Sequence, residues 1–82
     1  MKVHVKIFPA AELCNQRREL EIDLDEGNGD EILEYLQKLL GVNLKEKKTL
    51  MFLHNGCGLE RLENAVFQDG DQLWLLPLLS GG

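Results

Sequence analysis

The chain contains no apolar run approaching the ~20 residues needed to cross a bilayer. Its first residues alternate lysine with apolar side chains rather than building the continuous apolar core of a secretory leader. Neither a membrane span nor a signal peptide is expected, and the expected location is cytoplasmic. Cysteine is scarce. Cys14 and Cys57 do not form a Cys-x-x-Cys pair, and no histidine stands at ligand spacing from either, so two reduced thiols and no metal site are expected. The two histidines, His4 and His54, lie in separate predicted strands, where an isolated imidazole is expected to be a surface or hydrogen-bonded residue rather than a ligand or catalyst. Positive charge is also in short supply: 9 Lys and Arg stand against 14 Asp and Glu, a net charge of −5. This argues against nucleic acid or an anionic membrane as partner, since both require a basic surface, and fits a partner with a basic docking face. There is no internal repeat, linker or low-complexity segment, and no convincing set of acid, base and nucleophile from which to build a catalytic centre.

At 82 residues, with 44% hydrophobic and 28% charged side chains, the sequence describes one small globular domain. A chain of this size buries a little over ~60% of its unfolded surface. Lys2 to Phe8 alternates strictly, with Val3, Val5 and Ile7 on one face and Lys2, His4 and Lys6 on the other, which predicts a half-buried strand ended by Pro9. Glu19 to Leu24 repeats the pattern, with Leu20, Ile22 and Leu24 facing inward. Glu26-Gly27-Asn28-Gly29-Asp30 is turn chemistry, and Asn28 or Asp30 is suited to cap a following helix. Ile32, Leu33, Leu36, Leu39 and Leu40 form its apolar stripe, Glu31, Glu34, Gln37 and Lys38 its wet face, and Gly41 its stop. Lys45, Lys47 and Lys48 mark a solvated connection. Thr49 to His54 predicts a third strand with little alternation, consistent with partial cover on both faces. Asn55-Gly56 predicts a turn, Gly58 to Leu62 a short fourth strand, and Leu62 to Phe67 a helical turn. Asp69-Gly70-Asp71 is a structural turn in which glycine takes positive φ and the aspartates bond nearby amides. Gln72 to Leu78 forms the last strand. One helix over one face of a mixed sheet of four to five strands is a two-layer α+β domain, with the first and last strands as natural central neighbours.

The domain is expected to occupy residues 1–78, followed by a flexible tail at 79–82. Read as the end of the polypeptide, Ser80-Gly81-Gly82 supplies two residues without a Cβ, able to thread a channel that other side chains would block, and a carboxylate that is anionic at neutral pH. A carboxylate is a poor electrophile. Adenylation removes its charge and installs a good leaving group that a sulfur or nitrogen nucleophile can displace.

From Asp69 onward the sequence reads Asp-Gly-Asp-Gln-Leu-Trp-Leu-Leu-Pro-Leu-Leu-Ser-Gly-Gly. This closely resembles the C-terminal signature of ubiquitin-like sulfur carriers of the MoaD/ThiS family, in particular the small subunit of molybdopterin synthase (MoaD type). The predicted element order resembles the β-grasp fold of that family. The resemblance implies a carrier rather than an enzyme. An E1-like adenylating enzyme would use ATP to activate the Gly82 carboxylate, sulfur would convert it to a thiocarboxylate, and the large synthase subunit would accept that sulfur for molybdopterin synthesis. Gly81 would provide the threading, and Ser80 is small enough to follow. No cofactor would be bound, and the free carrier would be a monomer. The exposed face of the last strand, through Leu76 and Leu78, would dock these partners together with Phe8; ordinary core packing is the alternative for Phe8 and Leu76, and Trp74 is an alternative anchor. Other roles share the tail chemistry: sulfur transfer for the thiamine thiazole, or conjugation to lysines as a protein modifier. A non-catalytic β-grasp interaction domain would use none of it.

Overall fold

The computed structural model describes residues 1–9, 16–41, 43–44 and 50–77. The predicted positions Cys14, the lysine cluster at 45–48, Leu78, Ser80, Gly81 and Gly82 lie outside the described residues. Five strands form a single mixed sheet: β1 (Lys2–Ile7), β2 (Arg18–Asp23), β3 (Leu50–His54), β4 (Cys57–Leu59) and β5 (Gln72–Pro77), in the spatial order β2-β1-β5-β3-β4. β1 and β5 are parallel neighbours near the centre, and every other pairing is antiparallel. One helix, α1 (Gly29–Leu40), covers one face, as the α+β β-grasp expectation requires.

The alternation in β1 has the predicted result: Val3, Val5 and Ile7 are fully buried. They meet Leu73 and Leu75 of β5, Ile22 of β2, and Ile32, Leu33 and Leu36 of α1 in one apolar cluster. Each such side chain contributes about 1.5–3 kcal/mol when removed from water, so this cluster is the main source of stability. Leu39 departs from the predicted stripe. It is 41% exposed, as is its neighbour one turn back, Tyr35, at 45%. A single sheet covers only the part of the helix facing it, and Leu39 falls beyond that arc.

The helix start differs from expectation in a second way. Asn28 is the N-cap, and its Oδ1 accepts from the Glu31 N–H at 2.9 Å. Glu31, expected on the wet face, does more than face water. Its carboxylate turns back to accept from the N–H groups of Asp25 (2.6 Å), Glu26 (2.9 Å) and Gly27 (3.2 Å). This is a reciprocal capping arrangement extended over the preceding turn. Those amide donors hold the Glu31 pKa below the ordinary glutamate value. Gln37, also assigned to the wet face, uses its Oε1 to accept from the Leu44 N–H at 3.0 Å. Gly41 ends the helix with φ +71°, and its N–H donates to the Gln37 carbonyl, as predicted.

Gly29 explains why the helix can begin where it does. Its N–H donates to the Ala65 carbonyl at 2.8 Å. A Cβ at this position would lie 1.6 Å from the Leu62 carbonyl oxygen. The close approach is made by a short 3₁₀ turn at Leu62–Asn64, within the helical turn predicted for Leu62 to Phe67; the predicted fourth strand stops short of it. β4 is consequently only three residues long, and Leu62 is buried in the core.

Candidate functional site

Because β1 and β5 run parallel, Ile7 opposite Leu75 and the exit of β5 at Pro77 lie at the same end of the sheet. β3 begins at that end, with Leu50 opposite Pro77. The chain therefore leaves the domain toward residues 78–82 beside the end of β1 and the start of β3.

The period of two divides β5 between two environments. Leu73 and Leu75 are buried under the helix, whereas Trp74 and Leu76 stand half-buried on the opposite face of the sheet. Register then assembles their neighbours: Lys6 of β1 and Leu53 of β3 flank Trp74, and Met51 of β3 stands opposite Leu76. Phe8 joins from the residue after β1. Its N–H donates to the Leu75 carbonyl at 2.9 Å, and its ring centroid is 5.7 Å from that of Trp74 at a tilt of 56°. This edge-inclined geometry is favourable for an aromatic pair. Phe8, Trp74 and Leu76 are thus one patch rather than alternatives, and none of them is a buried core residue. Met51 and Leu53 extend the patch and were not foreseen. Their signal was the poor alternation of β3, which follows from apolar side chains on both faces.

The rest of this open face is polar. Lys6 Nζ lies 3.4 Å from Glu19 Oε1, and His4 Nδ1 lies 3.5 Å from Glu21 Oε1. The register between β1 and β2 places these partners directly across from each other. Such exposed pairs contribute about 0–1 kcal/mol each, so they define the character of the surface more than its stability. The face is therefore apolar around the tail root and ion-paired toward the β2 edge, with Lys6 at the boundary. Its Nζ sits 5.0 Å from the Trp74 ring centroid and 6.0 Å from that of Phe8.

At the opposite end of β5 the structure is a brace. Asp69 Oδ1 accepts from the Lys2 N–H at 2.7 Å, and Asp71 Oδ2 from the Gln68 N–H at 2.9 Å. Gly70 takes φ +88° in the turn between them. His54 Nε2 lies 2.7 Å from Asp71 Oδ2, and its ring packs on Phe67 at 4.1 Å. The His54 contact, together with the Gln68 amide, lowers the Asp71 pKa to about 2. His54 is thus hydrogen-bonded, as expected for an isolated histidine, and both aspartates serve the turn. Cys57, exposed at the start of β4, is a free thiol. Among the described residues no group of His, Cys, Asp and Glu is placed to hold a metal ion, and no helix is long and apolar enough to cross a membrane.

A mixed five-stranded sheet packed on one helix defines the ubiquitin-like β-grasp class of proteins. Solved structures share the fold over the whole chain. SAMP1 from Haloferax volcanii matches with a TM-score of 0.73 at 24% identity, covering 100% of both chains. The complex of subunits 1 and 2 of the molybdopterin-converting factor from Helicobacter pylori 26695 contains a chain matching with a TM-score of 0.70 at 24% identity, again over 100% of both. No protein-family model matches the sequence. A curated relative does: the molybdopterin synthase sulfur carrier subunit of Drosophila sechellia is 31% identical over 84 aligned positions, spanning 100% of this chain and 92% of that protein. The chain belongs to the family of molybdopterin synthase sulfur carrier subunits.

Proposed function

We propose that this protein carries sulfur for molybdopterin synthesis as a thiocarboxylate on Gly82. The observation that supports this most directly is family membership across the full length of the chain, joined to a sequence that reaches Ser80-Gly81-Gly82 directly after β5. An E1-like enzyme adenylates the Gly82 carboxylate with ATP, and a sulfur donor displaces AMP. The resulting thiocarboxylate is delivered to the active site of the large synthase subunit. The carrier contributes no acid, base or cofactor to these steps. Its work is presentation. Fully extended, the five residues beyond Pro77 reach about 17 Å, and two glycines at the tip keep that reach narrow. The domain must be held while the tail is inserted, and the patch of Phe8, Trp74 and Leu76 at the tail root is the surface suited to that. Burying it removes apolar area from water close to the point of insertion, where docking and threading reinforce each other.

The direct test is intact mass spectrometry of the protein from its native host. One terminal oxygen replaced by sulfur is expected. Conjugates to lysines of other proteins through Gly82 would instead assign a modifier. A carrier lacking Gly82 is expected to fold normally and fail to restore cofactor synthesis; restoration by the truncated protein would overturn the proposal.

A further inference from the structure

Lys6 poses an energetic problem for any partner that covers the apolar patch. Its side chain is 24% exposed, lies beside the Trp74 and Phe8 rings, and has one oxygen partner among the described residues, Glu19, at 3.4 Å. Glu19 is itself half exposed and stands on the edge strand β2, away from the apolar centre. In the free protein, water hydrates the remaining face of the ammonium. An ammonium has three donors and no acceptor, and Glu19 satisfies at most one well. A partner seated on Phe8, Trp74 and Leu76 expels that water. Loss of hydration of a charged group is costly unless the interface supplies a new partner for it. The aromatic faces offset part of the loss through cation–π attraction but accept no strong hydrogen bond.

We infer that Lys6 is a specificity-determining residue of this docking face, read by a carboxylate that the large synthase subunit places over Nζ at the boundary of the apolar patch. The inference rests on the docking role proposed above for that patch. It requires a partner with mixed character: apolar opposite Trp74 and Leu76, and acidic opposite Lys6. A partner lacking the carboxylate would leave a desolvated ammonium with one long ion pair among the described residues, and would be rejected on that ground even with good apolar complementarity. The chain's overall negative charge sharpens this, since Lys6 is a cation held at the boundary of the apolar patch on a molecule of net charge −5.

The experiment measures binding of the host's large synthase subunit to wild type, Lys6→Met, Lys6→Arg and Leu76→Asp by calorimetry at two salt concentrations. Thermal unfolding of each variant checks the fold. Lys6→Met retains the aliphatic stem that packs on Trp74 and removes only the charge. It is expected to weaken binding by roughly 10- to 100-fold, the range for a hydrogen bond to a charged group, and to flatten the salt dependence. Lys6→Arg, which keeps a cation able to pair and stack, is expected to remain within about threefold of wild type. If Lys6→Met binds within about threefold of wild type, or if Lys6→Arg falls as far as Lys6→Met, the inference is overturned while the docking role of the patch stands. If wild type does not bind, or if Leu76→Asp binds as well as wild type, the docking role fails and the inference with it.

Discussion

Asp71 and Gly29 show how single residues control this fold through backbone groups rather than through the core. Asp71 ties the turn before β5 to the end of β3 through His54. Its pKa, lowered from 3.8 to about 2, makes folding stability depend on acid. The unfolded chain binds the proton more readily, so the contribution is fully present above about pH 4 and is lost as pH falls toward 2. Its size is on the order of 2 kcal/mol. Asp71→Asn is expected to lower stability at neutral pH and to flatten the acid limb between pH 4 and 2, as measured by urea unfolding across that range. Gly29 meets a harder limit. A Cβ there would collide with the Leu62 carbonyl, and a backbone oxygen cannot rotate away as a side chain can. Gly29→Ala is expected to cost roughly 2–4 kcal/mol, the range of strained or overpacked sites, and to appear as a lowered unfolding midpoint.

At the scale of elements, α1 depends on both of its ends. Asn28 satisfies a first-turn amide that would otherwise have no partner inside the helix, and Glu31 satisfies amides of the turn that leads into it. Asn28→Ala is expected to reduce stability by about 1 kcal/mol. Glu31→Gln is expected to lower it as well at neutral pH, where the native residue is charged; chemical denaturation at pH 7 checks this. The strands were legible from their alternation, and β1, β2 and β5 fall within a residue or so of the predicted bounds among the described positions. The short fourth strand and the helical turn after it were also expected, but their bounds were not: β4 ends at Leu59 rather than Leu62, and the turn is confined to Leu62–Asn64, where Leu62 and Ala65 meet the start of α1. Glu31 has a role that helical spacing does not record: it lies on the outward face as expected, and amides four to six positions earlier recruit its carboxylate.

For the whole molecule, the sheet separates two tasks. The face under α1 supplies the core, and the opposite face presents the patch beside the tail root. Adjacent residues of β5 should therefore respond in opposite ways. Leu75→Asp would place an unpaired charge in the core and is expected to prevent folding. Leu76→Asp is expected to leave the unfolding midpoint nearly unchanged while weakening binding to the large synthase subunit by about 2 kcal/mol or more, as for a central interface residue. Unfolding curves and binding titrations on the same two variants distinguish core from docking surface. The pattern of alternation could name Leu76 but could not choose its face, because β5 is apolar at nearly every position.

Local chemistry was sufficient for the strands of regular alternation, the helix with its cap and stop, the aspartate-glycine turn, and the Gly-Gly tail with the family it indicates. Each of these depends on spacing between near neighbours, which the order of residues records directly. The neighbouring of β1 and β5 was expected from the sequence, but the rest of the strand order and the gathering of Phe8, Lys6, Met51, Leu53 and Trp74 around Leu76 depended on contacts between residues tens of positions apart. Those contacts are settled by which apolar faces can be buried together under a single helix. The exposed apolar patch is the surface remaining when that cover runs out.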